Sequence, residues 1–237
     1  MSEPVKKPNQ APESYLPKDM PEIMRLAAEG AAKRPIAYDI RFKGGVPDSF
    51  ETGRLVIRHF KRGDWRDLQE IAVSNDRSEF ADCDHTWPTD GRGIKKACKW
   101  FVKGKQFWAV EVKAPSKVVC FVNFNGFNDL NEMNIGHVMN GAYFGNDYEY
   151  EALAALYDYC FAYDRPAAIT AGWAMDDKVK LEPLVKLGTE LASTGMHKAF
   201  RADSEGFTRE FEGCRAIITR EAWDQANPTS YIPKDIP

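Results

Sequence analysis

Between Asn131 and Phe161 the chain reads NEMNIGHVMNGAYFGNDYEYEALAALYDYCF. His137 lies inside an apolar stretch, and its charge changes near neutral pH, so it can take up or release a proton. The segment from Gly141 to Asn146 is rich in turn-forming residues and leads directly into a run of helical spacing. A helix that opens just after a tight loop presents free backbone N–H groups, and these can hold a phosphate or another anion. Tyr143, Tyr148 and Tyr150 bring hydroxyls to the same place. A second histidine, His85, stands in an irregular segment with Asp82, Asp84 and Trp87. Each has a structural alternative: His137 as a half-buried strand histidine with a structural partner, the tyrosines as packing groups, His85 as a solvated loop residue.

These groups need elements to position them. Met133, Ile135, His137 and Met139 alternate with Asn134, Gly136, Val138 and Asn140, which predicts a strand over 132–140. From Asp147 the spacing places Tyr148, Ala152, Leu156 and Tyr159/Cys160 on one helical face, with Leu153, Tyr157 and Phe161 beside it. Upstream, residues 54–60 read as a strand, and a helix starts near Asp64 and runs through Trp65, Leu68, Ile71 and Ala72. Asp90 is placed to cap a helix with Ile94, Ala97, Trp100 and Phe101 on one face and Lys95, Lys96, Lys99 and Lys103 outside. Strands follow at 106–113 and 117–125. After the central helix come a strand over 167–175, a helix over 177–187 that contains Pro183 and is closed by Gly188, and strands at 190–201 and 209–219. At the start, 1–18 reads as a polar, proline-rich arm, 19–34 as a helix and 36–42 as an added strand ended by Gly44-Gly45.

The 237 residues, 43% hydrophobic, suit one domain with a sizeable core plus extensions. The expected division is an arm, helix and strand over 1–50, a domain over 51–223 and a tail over 224–237. A net charge of −3 provides no global basic field, so nucleic acid is not an expected partner. No stretch approaches the ~20 apolar residues of a membrane helix, and the polar N-terminus does not read as a signal peptide. Five scattered cysteines without a CxxC pair are expected to be buried, reduced thiols in a cytoplasmic protein, and no metal site is expected.

The same residues resemble the GNAT acetyltransferase superfamily, in the branch that acetylates ribosomal-protein N-termini and related amines. The resemblance rests on Ile135-Gly136-His137, on Phe144-Gly145-Asn146-Asp147-Tyr148-Glu149-Tyr150-Glu151-Ala152 as a form of an aromatic-Gly-x-Gly-Tyr-Ala-x-Glu-Ala loop, and on Thr52 with Arg54-Leu-Val-Ile-Arg. Lys186-Leu187-Gly188 and Thr219 to Trp223 extend it over 52–223. It implies an α/β fold: a mixed, largely antiparallel twisted sheet of about seven strands flanked by helices, here with an N-terminal helical extension. It also implies acetyl-CoA as co-substrate. Val138, Met139 and Asn140 would hold the pantetheine through their backbone, and Gly145, Asn146, Asp147 and Tyr148 would form the pyrophosphate loop. Counting back from Gly188 puts Asp177 and Lys180 at the family's Asn-x-x-Ser step, which implies Asp177 among the cofactor-binding residues. Glu132 and His137 are the candidate bases, and Lys180 and Tyr148 the candidate acids.

Four positions depart from the pattern. Asn134 stands for a glutamate, Asp147 for a glycine, Glu149 for a small residue and Lys180 for a serine. Two carboxylates beside a pyrophosphate would repel it. Their structural alternative is capping: Asp147 at the N-cap and Glu149 in the first turn suit the helix dipole. The expectation is an N-acetyltransferase acting on a protein N-terminus or a small amine. The alternatives are a degenerate module of the same fold that binds a protein partner or another ligand, and an enzyme using a carrier-borne acyl group. The segments Ser14–Pro21 and Ser230–Pro237 repeat Ser-Tyr-x-Pro-Lys-Asp-x-Pro. They read as two copies of an extended piece or a coincidence, or as segments that dock into similar grooves across a homodimer.

Overall fold

The computed structural model describes residues 39–43, 46–202 and 205–226. The helix expected over 19–34 and both repeated segments lie outside them. The elements are β1 (Asp39–Lys43), β2 (Val46–Glu51), β3 (Leu55–His59), α1 (Trp65–Asp76), α2 (Gly91–Lys103), β4 (Phe107–Lys113), β5 (Ser116–Phe127), β6 (Glu132–Met139), α3 (Tyr148–Tyr159), β7 (Ala168–Ala174), α4 (Lys178–Lys186), β8 (Glu190–Lys198), β9 (Glu210–Thr219) and α5 (Arg220–Ala226). They form one sheet in the order β1-β2-β3-β4-β5-β6-β7-β9-β8. Every pairing is antiparallel except β6 with β7. Strands β3 to β9 are the expected seven, and the hairpin β1–β2 adds two at one edge. Of the expected strand over 36–42, residues 39–42 fall in β1 and 36–38 lie outside the described residues; β2 was not foreseen.

Alternation along the strands builds a core on each face of the sheet. Leu55, Ile57, Trp108, Val110, Met133, Ile135 and Ile169 pack toward α3. Phe107, Ala109, Phe121 and Val138 pack on the other face with Leu68 and Ile71 of α1 and Ile94 and Phe101 of α2. A bulge at Val119 in β5 turns both Val119 and Cys120 to the α3 side. Asp90 caps α2 as expected, its carboxylate accepting from the N–H groups of Arg92 and Gly93. Gly188 closes α4 in the left-handed conformation. Arg58 is buried between Asp64, at 2.7 Å, and Glu111, at 2.6 Å, tying β3, β4 and the approach to α1 together.

The helix α3 departs from its one-faced expectation. Glu149 and all residues from Glu151 to Tyr159 are buried. The sheet covers one side, α4 packs on another, and Trp223 of α5 donates to the buried carboxylate of Asp158 at 2.7 Å. The helix continues into a π turn, Cys160–Asp164. All five cysteines are free and buried. Among the described residues no helix is long and apolar enough to cross a membrane.

Candidate active site

The parallel neighbours β6 and β7 touch for only three residue pairs, ending at Asn134 and Thr170. There the Asn134 amide donates to the backbone carbonyl and the hydroxyl of Thr170. Beyond that point β6 follows β5 and β7 follows β9. The sheet therefore opens into a V whose β6 wall is Ile135 to Met139. The wall is paired with β5 on its other side, and its backbone groups directed into the V have no partner in β7.

Asn140 ends the strand, its side chain accepting from the Ala142 N–H and its backbone N–H donating to Val119. The loop then carries Gly145 and Asp147 in the left-handed conformation, with φ of 78° and 57°. Asp147 thus keeps the backbone shape that the glycine of the family pattern supplies, at a residue type that tolerates it. It is the N-cap residue, but its side chain makes no capping bond. The carboxylate instead turns to Lys186 of α4, at 2.8 Å. The N–H groups that open α3 are therefore not capped by the Asp147 carboxylate.

Each acid of this helix opening has a cation or histidine beside it. Besides the Asp147–Lys186 pair, Glu149 is buried under the β6 wall with its Oε1 2.6 Å from His137 Nδ1. Glu151 accepts from the Arg54 guanidinium and the Thr52 hydroxyl. Arg54 also donates to the Asn146 carbonyl and lies over the Tyr148 ring, 4.7 Å from its centre. The chain balances its own acids, so the repulsion expected from Asp147 is reduced. Glu149, however, stands beside Met139 at the V.

Two cavities meet there. A smaller one, of about 110 Å³, lies between the loop and α4 and is lined by Tyr143, Gly145, Asp147, Tyr148, Val179 and Lys186 among others. A larger one, of about 360 Å³, lies toward the end of α1, against Ser74, Asn75, Phe80, Val138, Asp177 and Lys180. Met139, Phe144, Glu149 and Val179 line both.

The remaining candidates fall in separate places. Glu132 is at the closed end of the V, on the sheet face opposite His137, where Arg215 and Asn128 hold its carboxylate. Five residues of strand, about 16 Å, separate the two. Asp177 caps α4, accepting from the Lys180 N–H at 3.2 Å, and faces the larger cavity. Burial pushes its carboxyl above the ordinary range, and this outweighs the opposing Lys180 and His137. Lys180 reaches across to Asp84. His85 is exposed, its ring edge-on to Trp87 at 4.8 Å. Sequence reasoning missed Arg54 and Lys186 as partners of the loop acids, and Ser74 and Asn75 as cavity walls. The i to i+3 and i to i+4 spacings of a single helix carry no trace of them.

Residues 54–190 match the family model described as acetyltransferase (GNAT) domain, more than half of the chain. The protein belongs to the GNAT acetyltransferase family. Solved structures with the same fold include a GNAT-family acetyltransferase from Bacillus anthracis (TM-score 0.61, 18% identity, covering 73% of this chain and 99% of that one). Others are a ribosomal-protein-S5-alanine acetyltransferase from Vibrio fischeri (0.59, 16%, 74% and 98%) and a ribosomal L7/L12 alpha-N-protein acetyltransferase in complex with coenzyme A (0.57, 12%, 72% and 96%). No curated protein matches the sequence.

Proposed function

We propose that the protein is an N-acetyltransferase that moves an acetyl group from acetyl-CoA to an amine, on a protein N-terminus or a small molecule. The observation that carries this reading is the V between β6 and β7, with a cavity on either side and a shared wall of Met139, Phe144, Glu149 and Val179. Donor and acceptor would enter from opposite sides and meet at that wall, which holds the reacting atoms close. The backbone of Val138, Met139 and Asn140 would bind the pantetheine. The N–H groups opening α3, with Gly145 and Asn146, would hold the pyrophosphate, and Lys186 and Arg54 add positive charge nearby.

The acceptor arrives as an ammonium and must lose a proton. His137 takes it, its ring held by Glu149 through Nδ1. The amine nitrogen then attacks the thioester carbonyl, a C–N bond forms and the C–S bond breaks. The leaving thiolate takes a proton from Tyr148, which lines the donor cavity, and the second proton shed by the nitrogen restores the Tyr148 hydroxyl, so that the net proton released is the one on His137. A second reading, a GNAT-fold module that binds without transferring, is favoured by Glu149 standing in the V. Calorimetric titration with acetyl-CoA, followed by a thiol-release screen of amines, separates the two. Micromolar binding and thiol release support transfer. An absence of acetyl-CoA binding overturns it.

A further inference from the structure

Asp177 and Glu149 both face the larger cavity, and both are buried, at 5% and 7% exposure. Each has one oxygen engaged within the chain. Asp177 Oδ1 accepts from the Lys180 N–H, and Glu149 Oε1 meets His137. The second oxygen of each accepts no hydrogen bond from the described residues, yet neither is sealed from the cavity. Buried carboxylate oxygens are normally satisfied, so two left open on one cavity point to a ligand that donates hydrogen bonds. Neither cation of the cavity lining fills the role: Lys180 Nζ is turned to Asp84, and Arg77 makes no ion pair with either carboxylate.

We propose that Asp177 is the specificity residue for the acceptor: it binds the ammonium of a primary amine in the larger cavity, with the second oxygen of Glu149 as its companion. This rests on the reading that the V is the transfer site. An ammonium offers three donors in a compact head, which can serve both open carboxylate oxygens at once. It also sets a positive charge directly against the two carboxylates, consistent with burial holding the Asp177 carboxyl above its ordinary range. An acceptor without that charge, such as an alcohol or an acylated amine, leaves both carboxylates unpaired and is rejected. The polar rim of Ser74, Asn75 and Ser78 admits a chain behind the ammonium.

Asp177→Asn is the test, since an asparagine oxygen still caps α4 through the Lys180 N–H and the fold is kept. Binding is measured by calorimetry with trialanine amide, 1,3-diaminopropane and N-acetyl-trialanine amide as probes. The wild-type protein is expected to bind one or both free amines and not the acetylated peptide. Preference between the two separates a peptide N-terminus from a small diamine. The variant is expected to lose at least tenfold in amine affinity while its affinity for acetyl-CoA is unchanged. In turnover, the amine KM should rise at least tenfold with kcat changed less than about threefold, a split that a general structural defect would not produce. Equal amine binding by both proteins, or none by the wild type, overturns the proposal. Acetyl-CoA affinity, read in the same samples, reports on the transfer reading separately.

Discussion

Replacing Asp147 by glycine tests whether the loop that opens α3 is a phosphate site screened by its own acid. The residue stands at φ 57°, pairs with Lys186 at 2.8 Å, and is more than half exposed. Glycine relieves about 1 kcal/mol of left-handed strain, against which stand a surface ion pair of about 0–1 kcal/mol and the added freedom of the unfolded chain. The melting temperature should therefore stay nearly constant. Affinity should not. An oxygen held by the first-turn N–H groups lies roughly 6 Å from a carboxylate on that loop, where each pair of unit charges costs about 0.7 kcal/mol in a water-like dielectric. A pyrophosphate with two charges is then relieved of about 1.4 kcal/mol, close to a factor of ten in Kd. Lys186 keeps its pair with Glu182 at 2.7 Å, so the gain comes from removing the Asp147 charge. Asp147→Asn keeps the backbone preference and removes only the charge, so it should share the improvement. Calorimetry at low and at 0.5 M salt reads both, and the gain should shrink with salt. Unchanged or weaker acetyl-CoA binding in both variants would refute the placement of the anion at this loop.

Three further outcomes follow from particular contacts. Arg58→Met leaves Asp64 and Glu111 without their buried partner and should destabilise the protein by about 3–5 kcal/mol in urea unfolding; a loss below 1 kcal/mol would mean that the network relaxes freely. Asp177 has a folded carboxyl pKa raised by burial, so its charge costs stability at neutral pH, and that cost disappears as pH falls through the folded value to the unfolded value near ~4. Asp177→Asn should accordingly melt higher than wild type at pH 7 and at the same temperature near pH 3.5, and the reverse order would contradict the burial argument. Burial also pushes the Cys98 thiol up to about 11 and the Cys214 thiol to about 12. Neither should react with iodoacetamide at pH 8 until the protein is unfolded, as mass spectrometry of labelled native and denatured samples would show.

Local periodicity and local punctuation were enough to read most of the fold. The two-residue repeat from Met133 to Met139 marked β6, the change to helical spacing at Asp147 marked α3, and Asp90 and Gly188 marked a helix start and a helix end. These signals are legible because they depend on backbone conformation and on neighbours within four residues. The short motifs in order, from Thr52 to Trp223, carried the resemblance to GNAT acetyltransferases. What the sequence could not contain is which charges meet. Glu149 finds His137 12 residues away, Asp147 finds Lys186 39 away, Lys180 finds Asp84 96 away and Glu151 finds Arg54 97 away. Those distances close only when the strands take their order in the sheet and the helices pack against it and one another. The same packing buries α3 on nearly every side, although its sequence shows one apolar stripe with polar residues around it. Residue types told which groups were able to bind an anion or carry a proton; strand order and helix packing decided that the acids of the loop are neutralised from within and that Asp177 faces a cavity with an oxygen to offer.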